Sequence, residues 1–308
     1  MMSSTAKDPI EAIIEGPDDG VLTVIAGVDG PSYRPIGAMM AVLGPRTRVG
    51  SLSSGCVEAD IALHAMEAKE KGDAAVVRYG RGSKFMDIQL PCGGGLDIAL
   101  IPKPDRDVLA QVVAERAKRR PCALSIDLGT GDITPSDASR TERQGDKLFV
   151  HFRPNLRFLV FGKGPEASTF VGLVQSAGFE SLLLSPDDET LEQGKALGCQ
   201  VQSLPIPEFP QELHVDARTA IVLFFHDHDW EPPLLMQALK TDAFYIGAQG
   251  SQRARDVRLA SMAAMGVPQD ELKRLVGPVG MIPSARDPST LAVSVLAEIL
   301  DRERMEAG

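Results

Sequence analysis

An excess of positive charge is missing from this chain: 32 Lys and Arg stand against 42 Asp and Glu, a net charge of −10. That balance argues against non-specific binding to nucleic acid or an anionic membrane, while leaving room for one local basic loop. Long apolar runs are missing too, and the opening MMSSTAKDPIEA has no signal-like apolar stretch. The expectation is a cytoplasmic protein with neither a membrane nor a nucleic acid as partner. The four cysteines, Cys56, Cys92, Cys122 and Cys199, form no C-x-x-C pair, which argues against a structural zinc site. In a reducing compartment they stay free thiols. Internal repeats and low-complexity stretches are also absent. What remains is an ordinary globular composition, 44% hydrophobic and 24% charged, in 308 residues. That is enough for two domains with cores of their own.

The rhythm of the chain changes near residue 155. The first part reads as short strands and turns around two helices. VLTVIAGV (21–28), AMMAVLG (38–44), AAVVRYG (74–80), DIQL (87–90), LDIALIP (96–102), ALSIDL (123–128) and KLFVHFRP (147–154) are strand-like. Residues 57–71 and 105–120 carry helical apolar spacing, and 129–147 is polar and turn-rich. In the second part RFLVFG (157–162), SLLLS (181–185), VQSLP (201–205), AIVLFF (220–225) and AFYIGA (243–248) alternate with helical segments, ending on a long helix over 288–307. Strands alternating with helices predict a doubly wound parallel sheet. The fold class is α/β: a mixed α+β domain over 1–155, then a Rossmann-like domain over 156–308.

The second domain carries Gly162-x-Gly164-x-x-Ala167 directly after a strand and at the mouth of a helix, the context in which a pyrophosphate can approach a helix N-terminus. Two residues oppose that use. Glu166 lies in the first helical turn, and Ser185 stands where a ribose-binding carboxylate is expected, with Asp187 two residues later. Gly247-Ala248-Gln249-Gly250-Ser251-Gln252-Arg253 is a second candidate anion turn, with Ser251 as helix cap and Arg253 as cation; a plain capped helix with a surface Arg explains it equally well. FFHDHDW places His226, Asp227, His228 and Asp229 after a strand. Neighbours in one turn rarely converge on one ion, so a pocket-lining loop with one useful histidine, His226, is preferred to a metal site.

The first domain holds three unusual stretches. SYRPIGAMMAV (32–42) has Arg34 before a Pro–Gly turn. GSLSSGCVEADIA (50–62) puts Cys56 at the mouth of a helix, where a thiol gains thiolate character. LPCGGGLDI (90–98) puts Cys92 before Gly93, Gly94 and Gly95, a triplet that suits unusual backbone angles or close approach of a bulky group. RYGRGSK adds Arg78, Arg81 and Lys84, a basic loop whose simplest reading is a solvated turn.

These stretches, together with GKGPEA, FHD, YIGAQGSQRA and GPVG…ARDPSTLAVSVLAEI, make nearly the whole chain resemble the XdhC/CoxI family, the accessory proteins of xanthine dehydrogenase and related molybdenum hydroxylases. The resemblance implies a chaperone, not an enzyme with its own turnover. It would bind molybdenum cofactor (molybdopterin) and pass it to an apo-form hydroxylase of the xanthine or carbon monoxide dehydrogenase type. A cysteine desulfurase as further partner and a homo-oligomeric state are implied with it. The implied cofactor site takes Cys56, Cys92, Gly93, Gly94, Gly95, Arg34 and Glu58 from the first domain, with Cys56 and Cys92 as soft metal ligands. From the second domain it takes Gly162, Gly164, His226, Gly247, Gly250, Ser251 and Arg253. Arg34 or the 78–84 loop would meet the phosphate. The chain departs from the family pattern at Ser54 before Cys56, at Ser185, and at Ile282 and Ser284, where an Asp and then a Gly are usual. The dinucleotide features are the eroded ones, so NAD(P) binding is expected to be weak. Three other readings stay open: an NAD(P)-dependent oxidoreductase with His226 as proton donor, a cofactor-free protein adaptor, and cysteines that merely fill tight turns.

Overall fold

The computed structural model describes residues 8–53, 55, 57–83, 93–225 and 229–307. The chain divides into two compact units, Met1–Pro154 and Asn155–Gly308. Among the described residues the first unit runs α1 (Pro9–Glu15), β1 (Val21–Asp29), β2 (Met39–Val42), β3 (Arg48–Gly50), α2 (Glu58–Lys71), β4 (Ala75–Gly80), β5 (Gly95–Pro102), α3 (Arg106–Ala117), β6 (Cys122–Asp127), β7 (Ile133–Ser136), β8 (Glu142–Gln144) and β9 (Lys147–Phe152). One antiparallel sheet has the order β3-β2-β1-β5-β4 and a second β7-β6-β9-β8. Alternation along β1 explains the layering. Leu22, Val24 and Ala26 share a core with α1, α3 and the second sheet. Val21 and Ile25 point the other way, toward Ile61, Ala62 and Ala65 of α2.

Several pieces of this unit lie outside the expected pattern, among them the three-residue edge strand β3. The helix α1 starts on Asp8, whose carboxylate accepts from the Ile10 and Glu11 amides, with Pro9 at the first helical position. The polar stretch after 129 supplies β7 and β8, edge strands with only one side to bury, so their sequence is polar. The helix α3 stops at Ala117 instead of 120, because Arg119 turns into the left-handed region at φ 55. The expected strand over 87–90 lies outside the described residues.

The second unit runs β10 (Arg157–Gly162), α4 (Pro165–Ser176), β11 (Glu180–Ser185), α5 (Asp188–Ala196), β12 (Gln200–Ser203), β13 (Thr219–Phe224), α6 (Glu231–Leu239), β14 (Tyr245–Ala248), α7 (Gln252–Ala264), α8 (Gln269–Leu272), β15 (Leu275–Val276) and α9 (Pro288–Ala307). Its sheet is parallel, in the order β12-β11-β10-β13-β14-β15. Counted from β10, that is 3-2-1-4-5-6, the doubly wound order whose switch point lies between the first and fourth strands. The strands are nearly continuous apolar runs because both faces are covered. Phe158 and Val160 pack toward α4 and α9, while Leu159 and Phe161 pack toward α6 and α7. Among the described residues no helix is long and apolar enough to cross a membrane.

Candidate functional site

Register brings two of the unusual stretches of the first unit to one level and leaves the third, after Gly50, opposite Met40 and Thr23, further back along β1. Asp29 of β1 pairs with Gly95 of β5, Gly80 of β4 pairs with the same Gly95, and Gly50 of β3 pairs with Met40 of β2. The chain therefore leaves β1, β3 and β4, and enters β2 and β5, on the same side of a single sheet. The connections 30–38, 51–57 and 81–94 all start from that side. Cys56 and Cys92, both expected ligands, lie outside the described residues. So does His226.

The glycine triplet has more than one explanation. Gly93 takes φ +70, and a Cβ added there would meet nothing within 4 Å among the described residues. Glycine adopts that conformation without strain. Gly94 and Gly95 are glycines for reasons inside the chain. A Cβ on Gly94 would stand 2.2 Å from the Pro31 carbonyl oxygen, and one on Gly95 would stand 2.8 Å from the Arg78 guanidinium. Close approach does occur here, but for these two residues the approaching group is the protein's own.

Arg78, read as a phosphate cation, is already engaged. Its Nε donates to the Arg81 carbonyl at 2.7 Å, Nη1 to Asp97 at 3.0 Å and Nη2 to Asp29 at 3.2 Å. Arg81 donates from its amide to the Gly94 carbonyl and from Nη2 to the Gly93 carbonyl, yet most of its side chain faces solvent. Arg34 is exposed as well, on a turn where the Ser32 hydroxyl donates to the Arg34 carbonyl and accepts from its amide. Of these three arginines, Arg34 and Arg81 are the exposed ones, Arg81 also lying 3.9 Å from Asp29.

Glu58 opens α2 and is buried. Oε1 accepts from the Ser51 hydroxyl (2.7 Å) and the Leu52 and Ser53 amides (3.1 and 2.8 Å). Oε2 accepts from the Ser53 hydroxyl (2.6 Å) and the Val57 amide (3.3 Å). Burial pushes this carboxyl up, but donors from Ser53, Ser51 and the loop backbone outweigh it and hold the group at about 2. Its oxygens are spent on the turn, so its geometry is that of a shaping residue for the 51–57 loop, where a cofactor contact was expected. The positive end of α2 is met by this carboxylate. Close by, the Tyr79 hydroxyl donates to Asp60 at 2.8 Å and pins the first turn of α2 over β4. Burial, then Asp60, pushes that phenol well above its ordinary range.

In the second unit the glycine turn sits at the carboxyl end of β10, beside the switch point. Gly162 is squeezed by β13: a Cβ there would stand 2.5 Å from the Phe224 carbonyl oxygen. Gly164 takes φ +88 and its amide donates to Thr190 Oγ1 at 2.8 Å. Pro165, next in the chain, brings no amide hydrogen. Ser185 is fully buried and accepts from the Asp187 amide, while Asp187 caps α5 by accepting from the Thr190 amide and hydroxyl. Those hydrogen bonds from Thr190 hold the Asp187 carboxyl low. The Gly164 amide and the Asp187 carboxylate, two groups a dinucleotide would use, are bonded within the chain itself.

The second anion turn is a capped helix start. Gly247 leaves room for Tyr245 and Val279, Gly250 takes φ +142, Ser251 accepts from the Ala254 amide, and Arg253 is exposed. Beneath it lies a pair that sequence reasoning missed. Arg258 and Glu231 are both buried; the guanidinium reaches the two carboxylate oxygens at 3.0–3.1 Å and donates to the Gln249 carbonyl at 2.7 Å. The signal was there: Arg258 lies one turn before Met262, on the buried face of α7. Among the described residues no group of His, Cys, Asp and Glu side chains has the geometry to hold a metal.

Comparison with known proteins agrees with this architecture. Residues 158–299 match the XdhC Rossmann domain and residues 14–80 the XdhC and CoxI family. The chain is 32% identical over 292 residues, 94% of its length and 85% of the relative's, to the molybdenum cofactor insertion chaperone PaoD of Escherichia coli (strain K12). It is 23% identical, with 97% of each chain covered, to a Bacillus subtilis (strain 168) protein named as a probable xanthine dehydrogenase component. A crystal structure described as a xanthine dehydrogenase from Bacillus halodurans shares the fold at a TM-score of 0.78 and 21% identity, covering 96% of this chain and 95% of that one. Motif order, fold and relatives converge: the chain belongs to the XdhC and CoxI family.

Proposed function

We propose that this chain is a molybdenum cofactor chaperone that holds the cofactor as cargo and releases it to an apo-form molybdenum hydroxylase of the xanthine or carbon monoxide dehydrogenase type. The observation that carries the reading is direction: the connections bearing the two cysteines and the Arg34 turn all leave one sheet on the same side. The name of the relative PaoD supports it. Molybdopterin is a flat, anionic group with a soft dithiolene. Gly93 offers a left-handed glycine turn, the exposed Arg34 and Arg81 offer cations for its phosphate, and Cys56 and Cys92 are the thiols suited to molybdenum or sulfur. Partner contacts with a cysteine desulfurase and self-association belong to the same reading. Anaerobic purification from cells making the cofactor, followed by molybdenum and pterin assays, tests it. Both should appear in stoichiometric amounts, and a protein free of both while an unrelated cofactor carrier loads would refute it.

The oxidoreductase alternative is disfavoured by the second unit. With Ser185 in place of the ribose carboxylate, the lost charged hydrogen bond costs ~1.5–3 kcal/mol, roughly ten- to a hundredfold in affinity. Pro165 and the Gly164–Thr190 bond remove further donors. An NAD(P)H fluorescence titration is expected to show no saturation in the low micromolar range; a tight isotherm would restore the alternative.

A further inference from the structure

We propose that Arg78 is a positioning residue of the cargo loops, acting through the fork geometry of its guanidinium and not as a charge offered to the ligand. The inference rests on the chaperone reading for its function and on geometry for its substance. Arg78, Asp97 and Gly27 form one cross-strand row, and Gly80, Gly95 and Asp29 form the row beyond it. The guanidinium lies diagonally between these rows, over the space that Gly95 leaves. Each of its three nitrogens serves a different segment: Nε the 81–83 turn, Nη1 the strand β5, and Nη2 the end of β1, where the 30–34 turn begins. Asp97 is held a second time by Arg143 of β8 at 3.5 Å, which ties the sheet end to the other sheet of the unit. Glycines make room around the device. A Cβ on Gly82 would stand 3.2 Å from Arg78 Nε, and one on Gly27 would stand 2.7 Å from Asp97 Oδ2. The Arg81 amide bonds the Gly94 carbonyl and Gly94 packs under Pro31, so the turns at 30–34, 81–83 and 93–95 touch one another around the Arg78 fork.

The three acceptors point in different directions, so one ammonium cannot replace the fork. This separates positioning from simple charge. Arg78→Lys keeps the charge and loses the geometry, while Arg78→Met loses both. Two readouts are needed on the full chain: hydrogen exchange of the Arg81 amide, and the dissociation constant for molybdenum cofactor under anaerobic conditions. Both variants are expected to speed exchange at Arg81 and to weaken cofactor binding, each by about tenfold or more, with the amides of α3 unchanged. Arg106→Met, which removes a remote ion pair to Asp18, should leave both readouts at wild-type values. A lysine variant that binds the cofactor as tightly as wild type, or unchanged exchange at Arg81 in the methionine variant, overturns the proposal. Should wild-type protein take up no cofactor, the chaperone reading fails separately, and the exchange pattern still decides whether Arg78 holds the loops.

Discussion

Replacing Arg258 by methionine is expected to destabilise the second unit by about 3–5 kcal/mol, because it strands the Glu231 carboxylate in the interior. Both side chains of the pair are only 6% exposed. The guanidinium also holds the Gln249 carbonyl, so the loop after β14 loses its anchor with the pair. Removing both charges is a different experiment. A Glu231→Leu/Arg258→Met double variant should recover much of the loss, since a buried pair returns little over well-packed apolar groups while half a pair is costly. Trp230, the single tryptophan of the chain, is a ready reporter. It precedes Glu231 and stacks on Phe225 with centroids 5.7 Å apart. Urea unfolding followed by its fluorescence measures the second unit selectively. A single variant less than about 1 kcal/mol below wild type would mean that the pair is hydrated and of small consequence.

Glu58→Gln should be the most damaging polar substitution in the first unit, at about 2–4 kcal/mol. The amide turns an NH2 group toward the hydroxyl and amide donors that now bond a carboxylate oxygen. Wild-type protein carries a matching acid sensitivity. The Glu58 carboxyl falls from its ordinary 4.5 to about 2 on folding. A depressed pKa gives stability that is fully present above pH 4.5 and is lost as pH falls toward 2. The difference is worth about 3 kcal/mol in all. The glutamine variant, having no proton to take up there, should lose that part of the acid dependence. Urea midpoints read from α2 amide signals at about pH 7 and about pH 3 compare the two proteins. Equal acid sensitivity in both would assign the effect to other carboxylates.

Much of the fold was legible because burial writes a pattern. The strands β10 and β13 read as unbroken apolar runs and proved buried on both faces; β1 was found by the same means. The strands β7 and β8 escaped because an edge strand that buries one side need not be apolar. The candidate site was legible as places, not as roles. Glycine at 94 announced a close approach, but only the structure shows that Pro31 makes it. Arg78 looked like any basic loop residue, since its partners Asp29 and Asp97 lie far along the chain and meet it through sheet register. Glu58 carried no sign that its neighbours would fold back on it. Ser284 is a further case. It takes φ +58, a left-handed conformation that glycine meets without strain, and no sequence pattern announced that demand at a serine.

Under the proposed function, molybdenum cofactor is received through Cys56 and Cys92. The most direct test is molybdenum per chain after anaerobic loading, compared among wild type, Cys56→Ser and Cys92→Ser, with melting temperature measured alongside. Near-stoichiometric metal is predicted in wild type. Each variant should lose about tenfold or more at nearly unchanged melting temperature if both thiols face the cargo, since the swap then alters little packing. Equal loading in all three would contradict the claim. So would variants destabilised by ~1–3 kcal/mol, the mark of a buried unpaired hydroxyl, with loading falling only in step with unfolding.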